Sequence, residues 1–482
     1  MTRSSRPLMW TYIVTSVAAF MVALDNLVVT MALPSIREHL HASLQALEWT
    51  VNAYTLTFAV LLLPAAALGD RLGRRRVFVG GLALFTVASA AAALAPSAGA
   101  LIAARAVQGV GGAAVLPLSL TLLTSAVPAN RRGAALGVWG AMSGLAVALG
   151  PLLGGAITQG ASWQFIFWLN VPIGILIAPL AARRLPESYG AAGAGRRLDL
   201  PGLALVSTGL FGIVLGLVRG NDAGWTSTSV LGSIVLGGAL LIGFVVRERT
   251  TADPMLPLGL FRSRQFSAAN AASLFMSIGM FGSIFLLSQF LQAGLGYSPL
   301  SAGLRTLPWT AMPVFIAPLA GPLSDRIGGK PLLTTGLFLQ AGGLLWLASD
   351  LSVGMSYSAM VLPFILCGIG MALFFVPVAS VVMGSVPTAA QGVASGTNNG
   401  IRELGGVLGI SVLGAIFSAQ GSLASPQSFL DGVKPAVVVG ALMLAAGGVA
   451  ALALPGRRSR TVNADQSTAV PVQSAAAVPV EV

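Results

Sequence analysis

An all-α integral membrane protein of about fourteen spans, built as two six-helix bundles with an inserted two-helix hairpin, is the fold class this sequence predicts. Three observations lead there. Of 482 residues, 55% are hydrophobic and 9% charged, with a mean hydropathy of +0.85. A soluble chain carries roughly a quarter charged residues to cover its surface, so much of this exterior must face lipid. Second, the apolar residues fall into about fourteen runs, each long enough for a hydrocarbon core that takes roughly 20 residues of helix. Third, one charged turn occurs twice, after the second run and after the tenth.

The runs lie near 10–33, 47–69, 77–95, 99–122, 133–157, 163–182, 200–218, 229–246, 267–291, 302–322, 331–348, 357–380, 393–417 and 434–455. Many contain Gly or Pro, which membrane helices tolerate because neighbouring groups satisfy the freed backbone. The first run reads as a span rather than a cleaved leader, since it is long, holds Asp25 and lacks a small-residue cleavage site. A single cysteine, Cys367, excludes a disulfide within the chain and any cysteine-based zinc or iron–sulfur centre. The two histidines, His39 and His41, fall in the first external loop and read as solvated loop residues, so no metal site is predicted. Gly109-x-Gly111-x-x-Ala114 fits a dinucleotide fingerprint, but it lies inside an apolar helix and follows no strand. No Walker loop is present in the sequence, which leaves ATP-driven transport to a separate subunit.

The net charge of +12 and a pI near 11.2 reflect scarce acids, and the 27 basic residues acquire meaning only from their positions. With Arg3 and Arg6 on the cytoplasmic side, the same side receives Arg71, Arg74–Arg76, Arg131, Arg132, Arg183, Arg184, Arg196 and Arg197. It also receives Arg247, Arg249, Arg262, Arg264, Arg326, Lys330, Arg457, Arg458 and Arg460. The opposite loops hold Arg37, Arg219 and Lys434, while Arg105, Arg305 and Arg402 fall within or at the ends of spans. This asymmetry sets the topology: an even number of crossings in the cell inner (plasma) membrane, with both termini cytoplasmic. The expected neighbour of the basic loops is anionic lipid, and nucleic acid is not a predicted partner.

The second run ends Ala66-Ala67-Leu68-Gly69-Asp70-Arg71-Leu72-Gly73-Arg74-Arg75, and the tenth ends Gly321-Pro322-Leu323-Ser324-Asp325-Arg326-Ile327-Gly328-Gly329-Lys330. Both read x-x-Leu-x-Asp-Arg-x-Gly followed by basic residues, which points to a duplicated half of the kind many transporters carry. The domain plan is therefore a first six-helix bundle over 8–184, a linker and inserted hairpin over 185–265, and a second bundle over 266–455. Residues 183–199, with Pro186, Gly190, Gly193 and Gly195 among charges, read as a flexible linker. The Ala/Val/Ser-rich stretch 456–482 reads as a disordered cytoplasmic tail.

The Asp-Arg-x-Gly-Arg-Arg turn resembles the signature loop of the major facilitator superfamily, and fourteen spans resemble its 14-helix drug:proton antiporter branch. Four further motifs carry the likeness: Leu24-Asp25-Asn26 through Ala32-Leu33-Pro34, Arg105-x-x-Gln108-Gly109, Gly144 with Gly150-Pro151-Leu152-Leu153-Gly154-Gly155, and Trp163 through Phe167 with Asn170-x-Pro172-x-Gly174. The resemblance covers residues 10–455. Ala66 departs from the usual leading glycine of the loop motif, and Glu403 stands where the resemblance leads one to expect glutamine. It implies a monomeric, proton-coupled secondary transporter, not an enzyme. Such a protein exports small lipophilic, including cationic, drugs by alternating access and needs no cofactor beyond the proton gradient. A dedicated exporter or importer of one metabolite or antibiotic, or a non-transporting membrane sensor, are the alternatives.

Asp25 lies about fourteen residues, hence roughly 20 Å, into its span. A carboxylate there is costly to ionise, so it must be partnered or wet, as befits a group that takes up and releases a proton. Arg105, whose counterpart the resemblance links to proton transfer, is a candidate partner, and Glu403 is a third intramembrane charge; a fixed structural ion pair is the alternative for each. Arg402 and Glu403 are adjacent, so on a helix they point about 100° apart. Asp70, Arg71, Gly73, Arg74 and Arg75, repeated as Asp325, Arg326 and Gly328, read as a conformational gate. Gly144, Gly150, Pro151, Gly154 and Gly155 give the fifth span a face with little side chain, suited to a tight contact with the other bundle. Asp25, Asn26, Tyr54, Gln108, Gln289 and Asn398 are candidates to line a substrate cavity.

Overall fold

A computed structural model describes residues 5–127, 132–189, 199–251, 258–386 and 391–456, together with 254 and 256. Sixteen α-helices follow in chain order: α1 (Ser5–Leu40), α2 (Leu44–Leu72), α3 (Arg74–Ala93), α4 (Ala98–Ala126), α5 (Arg132–Gly160), α6 (Phe165–Trp168), α7 (Asn170–Arg184) and α8 (Leu200–Ala223). They continue as α9 (Thr228–Thr250), α10 (Arg264–Gln289), α11 (Pro299–Thr310), α12 (Met312–Ile327), α13 (Gly329–Asp350), α14 (Tyr357–Met383), α15 (Gln391–Gln420) and α16 (Pro426–Leu452). Among the described residues there is no strand. Lipid offers backbone groups no partner, and the helix satisfies them internally.

Among the described residues, eleven helical segments are long and apolar enough to cross a membrane, and α2, bent by 50° at Pro64, makes a twelfth. The other two of the fourteen expected runs are α5 and the α11–α12 pair. Prolines account for the breaks. Pro172 cannot donate to the carbonyl four residues back, and the sixth span divides at Leu169 into α6 and α7. Pro313 does the same for the tenth span, which divides at Ala311. Serines close the first turns: Ser43 accepts from Ala46 N at 3.2 Å and Ser97 from Ala100 N at 3.3 Å.

The first bundle is knit by α2 and α3 against α4 and by α1 against α5; the second by α13 against α14 and by α10 and α16 against their neighbours. Two seams join the bundles, α5 with α11 and α2 with α15, and α1 meets α10 between them. The inserted hairpin, α8 and α9, lies along the α2–α15 seam. Leu210, Val214 and Val218 of α8 form one apolar cluster with Leu56 and Val60 of α2 and Val407 of α15. The outer helix α9 is only 17% buried, as befits a helix set against lipid. At the opposite end of the hairpin, Arg247 Nε donates to Asp199 Oδ1 at 2.6 Å, pinning α9 to the start of α8. Linker residues 190–198 and the stretch 457–482 lie outside the described residues, as does Arg131.

The two halves keep their charged turns in matching form. Gly73 (φ +108°) and Gly328 (φ +88°) both end a helix in a conformation that L side chains rarely adopt. Each donates its N–H back to a carbonyl four residues earlier, Gly69 O at 3.0 Å and Ser324 O at 2.9 Å.

The side chains sort by what they face. Leu344 of α13 is fully buried between helices, whereas Leu176 of α7 is 71% exposed on the lipid-facing surface. Leu344→Ala therefore lowers stability by about 2–5 kcal/mol, while Leu176→Ala changes it by no more than about 0.5 kcal/mol. Thermal unfolding of the two variants in detergent micelles, read against the parent protein, checks the difference.

Candidate functional site

The break at Pro172 sets Asn170 at the head of α7 with its side chain turned into the first bundle, where it meets Asp25 of α1. Asp25 and Arg105 are both 1% exposed or less. Arg105 Nη1 donates to Asp25 Oδ2 at 2.5 Å and to Gln108 Oε1 at 2.8 Å. Asp25 Oδ1 accepts from Gln108 Nε2 at 2.8 Å and from Asn170 Nδ2 at 2.7 Å. Gln108 Nε2 also donates to Ser89 Oγ at 2.8 Å, and Arg105 Nε to Thr50 O at 3.2 Å. Nη2 of Arg105 has no hydrogen-bond partner, but the guanidinium carbon lies 4.2 Å from the Tyr54 ring centroid. Tyr54 is held by a bond from its hydroxyl to Val22 O at 3.3 Å.

The cluster is neutral as a whole, which is what permits two full charges at this depth. Removing either partner would strand the other, since the effective cost of an unpaired buried ion is several kcal/mol. Chemically, the arrangement is a carboxylate whose charge is fixed by one cation and two amides. A proton arriving at Asp25 would release Arg105 from its strongest contact.

Asp25, Arg105, Tyr54 and Gln108 thus sit together inside the first bundle. Asn26, the next residue of α1, turns the other way. It lines a cavity of ≈ 20 Å³ between the bundles, with Thr30 of α1, Thr55 of α2, Phe281 and Phe285 of α10, and Glu403 of α15. That volume holds about one water molecule. Glu403 makes no hydrogen bond or ion pair with any described residue. Its neighbour Arg402 points away, donating to Asn399 Oδ1 at 3.0 Å with its guanidinium 4.7 Å from the Phe375 ring centroid. The 100° step between adjacent helical residues therefore divides both pairs, one member to the cavity and the other to the bundle. Gln289 and Asn398 lie inside the second bundle. Gln289 donates to Phe285 O of its own helix at 3.4 Å, and Asn398 to Asn270 Oδ1 at 3.1 Å and Ser273 Oγ at 2.8 Å.

Bundle-to-bundle contacts gather on the half of the molecule away from the Arg-rich turns. Ser288 Oγ donates to Thr30 O at 3.3 Å, Gln292 Nε2 to Met31 O at 3.0 Å, Asn52 Nδ2 to Ser411 Oγ at 3.0 Å, and Leu300 N to Gln159 Oε1 at 3.2 Å. Gln292 reaches α1 because Phe290–Gly294 forms a π-turn at the end of α10. Glycines make both the α5–α11 seam and the contact of α5 with α1 beside it. A Cβ on Gly154 would meet Val28 Cα of α1 at 3.0 Å, and one on Gly155 would meet Leu300 Cα of α11 at 2.9 Å. In return, Gly303 of α11 lies on the backbone of Pro151, and Gly150 lies on Leu27 of α1. Gly144 belongs to the first half of α5, where the neighbouring side chains lie outside the described residues.

At the Arg-rich face, Arg74 Nε donates to Asp70 Oδ1 at 2.7 Å, within one turn of chain, and Asp70 remains about half exposed. Arg75 and Arg76 meet Glu187 at 3.5 and 3.7 Å, and Glu187 Oε1 also accepts from Arg75 N at 2.9 Å. Residues 185–189, read from sequence as part of a flexible linker, are thus clamped to the gate. A Cβ on Gly73 would meet the Glu187 carboxyl carbon at 2.9 Å. Arg71 and Arg326 are exposed. Asp325 lies in the last turn of α12, and its side chain is outside the described residues.

Four contributing residues carry no signal that a sequence reading could weigh: Ser89, Glu187, Asp199 and Glu48. Ser89 is one small polar residue in an alanine-rich span. Glu187 and Asp199 sit in charged connections where any partner is plausible. Glu48 stands at the expected edge of the second span, while the helix begins a turn earlier at Leu44.

The sequence profile of the Major Facilitator Superfamily matches residues 15–410 and, in a second match, 269–479. The chain belongs to this family. It is therefore a transport protein and not an enzyme. Among relatives, it is 34% identical to a tetracenomycin C resistance and export protein of Streptomyces glaucescens, over 89% of this chain and 79% of that protein. It is 36% identical to the multidrug resistance protein Stp of Mycobacterium tuberculosis, over 86% and 77%. In fold it is similar to a bacterial homologue of the human lysosomal transporter Spinster, crystallised inward-facing and unoccupied. The TM-score is 0.66, with 17% identity, covering 94% of this chain and 98% of that one.

The ion pair should behave as a single unit. Arg105→Gln strands Asp25 and costs about 3–5 kcal/mol, and adding Asp25→Asn, which leaves no charge behind, recovers a large part of it. Thermal unfolding of the two single variants and the double variant forms the cycle that measures this.

Proposed function

We propose that this protein is a proton-coupled exporter of small lipophilic compounds, cationic ones among them, working by alternating access in the plasma membrane. The Arg-rich face is then cytoplasmic, with both termini on that side, and the closed half faces outward. The observation that carries the reading is the contrast between two intramembrane acids. Asp25 is locked to Arg105 inside the first bundle, and Glu403 lines the cavity between the bundles without a hydrogen-bond or ion-pair partner among the described residues. The first is suited to holding a proton and the second to holding a cation. The names of the relatives, a resistance and export protein and a multidrug resistance protein, support the substrate class and the direction.

In this reading a proton reaching Asp25 frees Arg105, which loosens the contacts of α1 with α4 and α7. The two bundles then rock about the glycine seam of α5 and α11, where small residues allow backbones to slide with little side chain to displace. Asp70, Arg74, Arg75 and Glu187 hold the cytoplasmic end of α2 and α3 as one unit during that motion. Asn26, Thr30 and Thr55 supply the few polar anchors of a mostly apolar cavity. Protein monomers, protons and lipid are the components required; no cofactor takes part.

The test uses purified protein in liposomes that enclose a pH-sensitive dye. A proton gradient is imposed, and lipophilic cations and neutral polycyclic drugs are added in turn. Substrate-triggered proton movement is the expected result, and Asp25→Asn abolishes it. Glu403→Gln weakens the apparent affinity for cations by about 10- to 100-fold, the worth of one charge-assisted contact, and leaves neutral drugs unaffected. Silence across the panel with folded protein overturns the drug reading. Equal losses for cations and neutral drugs in Glu403→Gln overturn the role given to that carboxylate.

A further inference from the structure

A third acid lies where neither the cavity nor the Asp25 cluster uses it. Glu48 sits one turn into α2, at the end of the α2–α15 seam away from the Arg-rich turns, and is 2% exposed. Its carboxyl rests on Gly414 of α15, where an added Cβ would meet the Glu48 Cδ at 2.7 Å. Oε2 has no hydrogen-bond partner among the described residues. The surrounding groups come from three helices. On α2 itself the flanking turns present Gln45 and Asn52, and α15 presents Ser411, bonded to Asn52, beside Gly414. From α8, Asp222 accepts from Gln45 Nε2, and Asn221 donates to Ala415 O of α15. The charged group facing Glu48 among the described residues is therefore another acid, Asp222.

The first bundle, the inserted hairpin and the second bundle all meet at this point. It is also a point that must come apart whenever the outer side opens. An ionised carboxylate held there, dry, unpaired and beside an acid, is not compatible with the closed seam. A neutral carboxylic acid is, and it gains an O–H donor.

Resting on the reading of this half as outward-facing, we propose that Glu48 is a proton-binding latch of the outer gate: it takes a proton from the external medium before α2, α8 and α15 can close. When the gate opens, the side chain meets water and ionises, and the charge then holds the seam apart until the next proton arrives. External acid thus favours closure, independently of the proton held at Asp25. The hairpin acquires a task as well, because Asp222 raises the cost of closing over an ionised Glu48.

Spin labels at Glu38→Cys on α1 and Gln420→Cys on α15, in a Cys367→Ser background, report the outer distance in liposomes by double electron–electron resonance. In the parent, the ratio of open to closed outer gate rises with external pH, by up to about tenfold per pH unit, the limit for one linked proton. Glu48→Gln, which is isosteric, stays closed across the range. Asp222→Asn weakens the rise with pH and keeps the gate closed to higher pH, because closing over an ionised Glu48 then costs less. Asp25→Asn leaves the outer transition in place. A Glu48→Gln protein with the parent's pH profile overturns the proposal, and so does an Asp25→Asn protein that has lost the transition. Should the drug panel be silent while the outer distance still titrates through Glu48, the export reading fails and the latch stands.

Discussion

Charge cannot stand alone in hydrocarbon, and this one constraint organises the interior of the protein. Asp25 and Arg105 lie deep in the first bundle only because each neutralises the other and Gln108, Asn170 and Ser89 occupy the remaining positions around the pair. The arrangement draws on α1, α3, α4 and α7 at once, so it joins four of the helices of that bundle through a single cluster. A change at any member is felt by the rest. That shared dependence is what could let one proton alter the packing of a whole bundle.

The second organising feature is the absence of side chains where the bundles touch. Across α5 and α11, Gly155 rests on the backbone of Pro299 and Leu300 and Gly303 on that of Pro151, and Gly414 of α15 makes room for the Glu48 carboxyl. Close backbone approach supplies dispersion contacts in a setting where lipid tails are as apolar as leucine and hydrophobic burial drives little. Such seams are firm when closed and present few knobs that must be withdrawn to open. The inserted hairpin covers one of the two seams. It touches both bundles there, and a purely lipid-filling ornament would not need the polar contacts of Asn221 and Asp222 with α15 and α2.

Hydropathy made most of the helices legible from composition and spacing alone. Fourteen runs, a duplicated Asp-Arg turn and the family of the chain could all be read, because each rests on local pattern repeated over many residues. The divisions at Leu169 and Ala311 were not read as breaks. Their prolines lie within apolar stretches that a hydropathy window joins, and the lost hydrogen bonds show only in three dimensions. Glu48 was missed for a related reason: the helix start set by Ser43 moves it from the rim of a span into a seam. Likewise 185–189, flexible by composition, is ordered by one long-range partner, since Glu187 gathers the arginines of the gate.

What the sequence by itself determined is the solvent of the protein, its all-helical build and its place among transporters. These follow from hydropathy and from motifs confined to one turn or one helix, which are properties of segments. Only the tertiary structure decided which way each intramembrane acid faces. Asp25 turns inward to Arg105 while Asn26 looks into the cavity; Glu403 looks into the cavity while Arg402 turns away. A helix separates adjacent side chains by about 100°, and the rotation of each helix is set by what packs on its other faces. That choice is made by contacts far apart in the chain, such as Asp25 with Asn170 and Glu48 with Gly414.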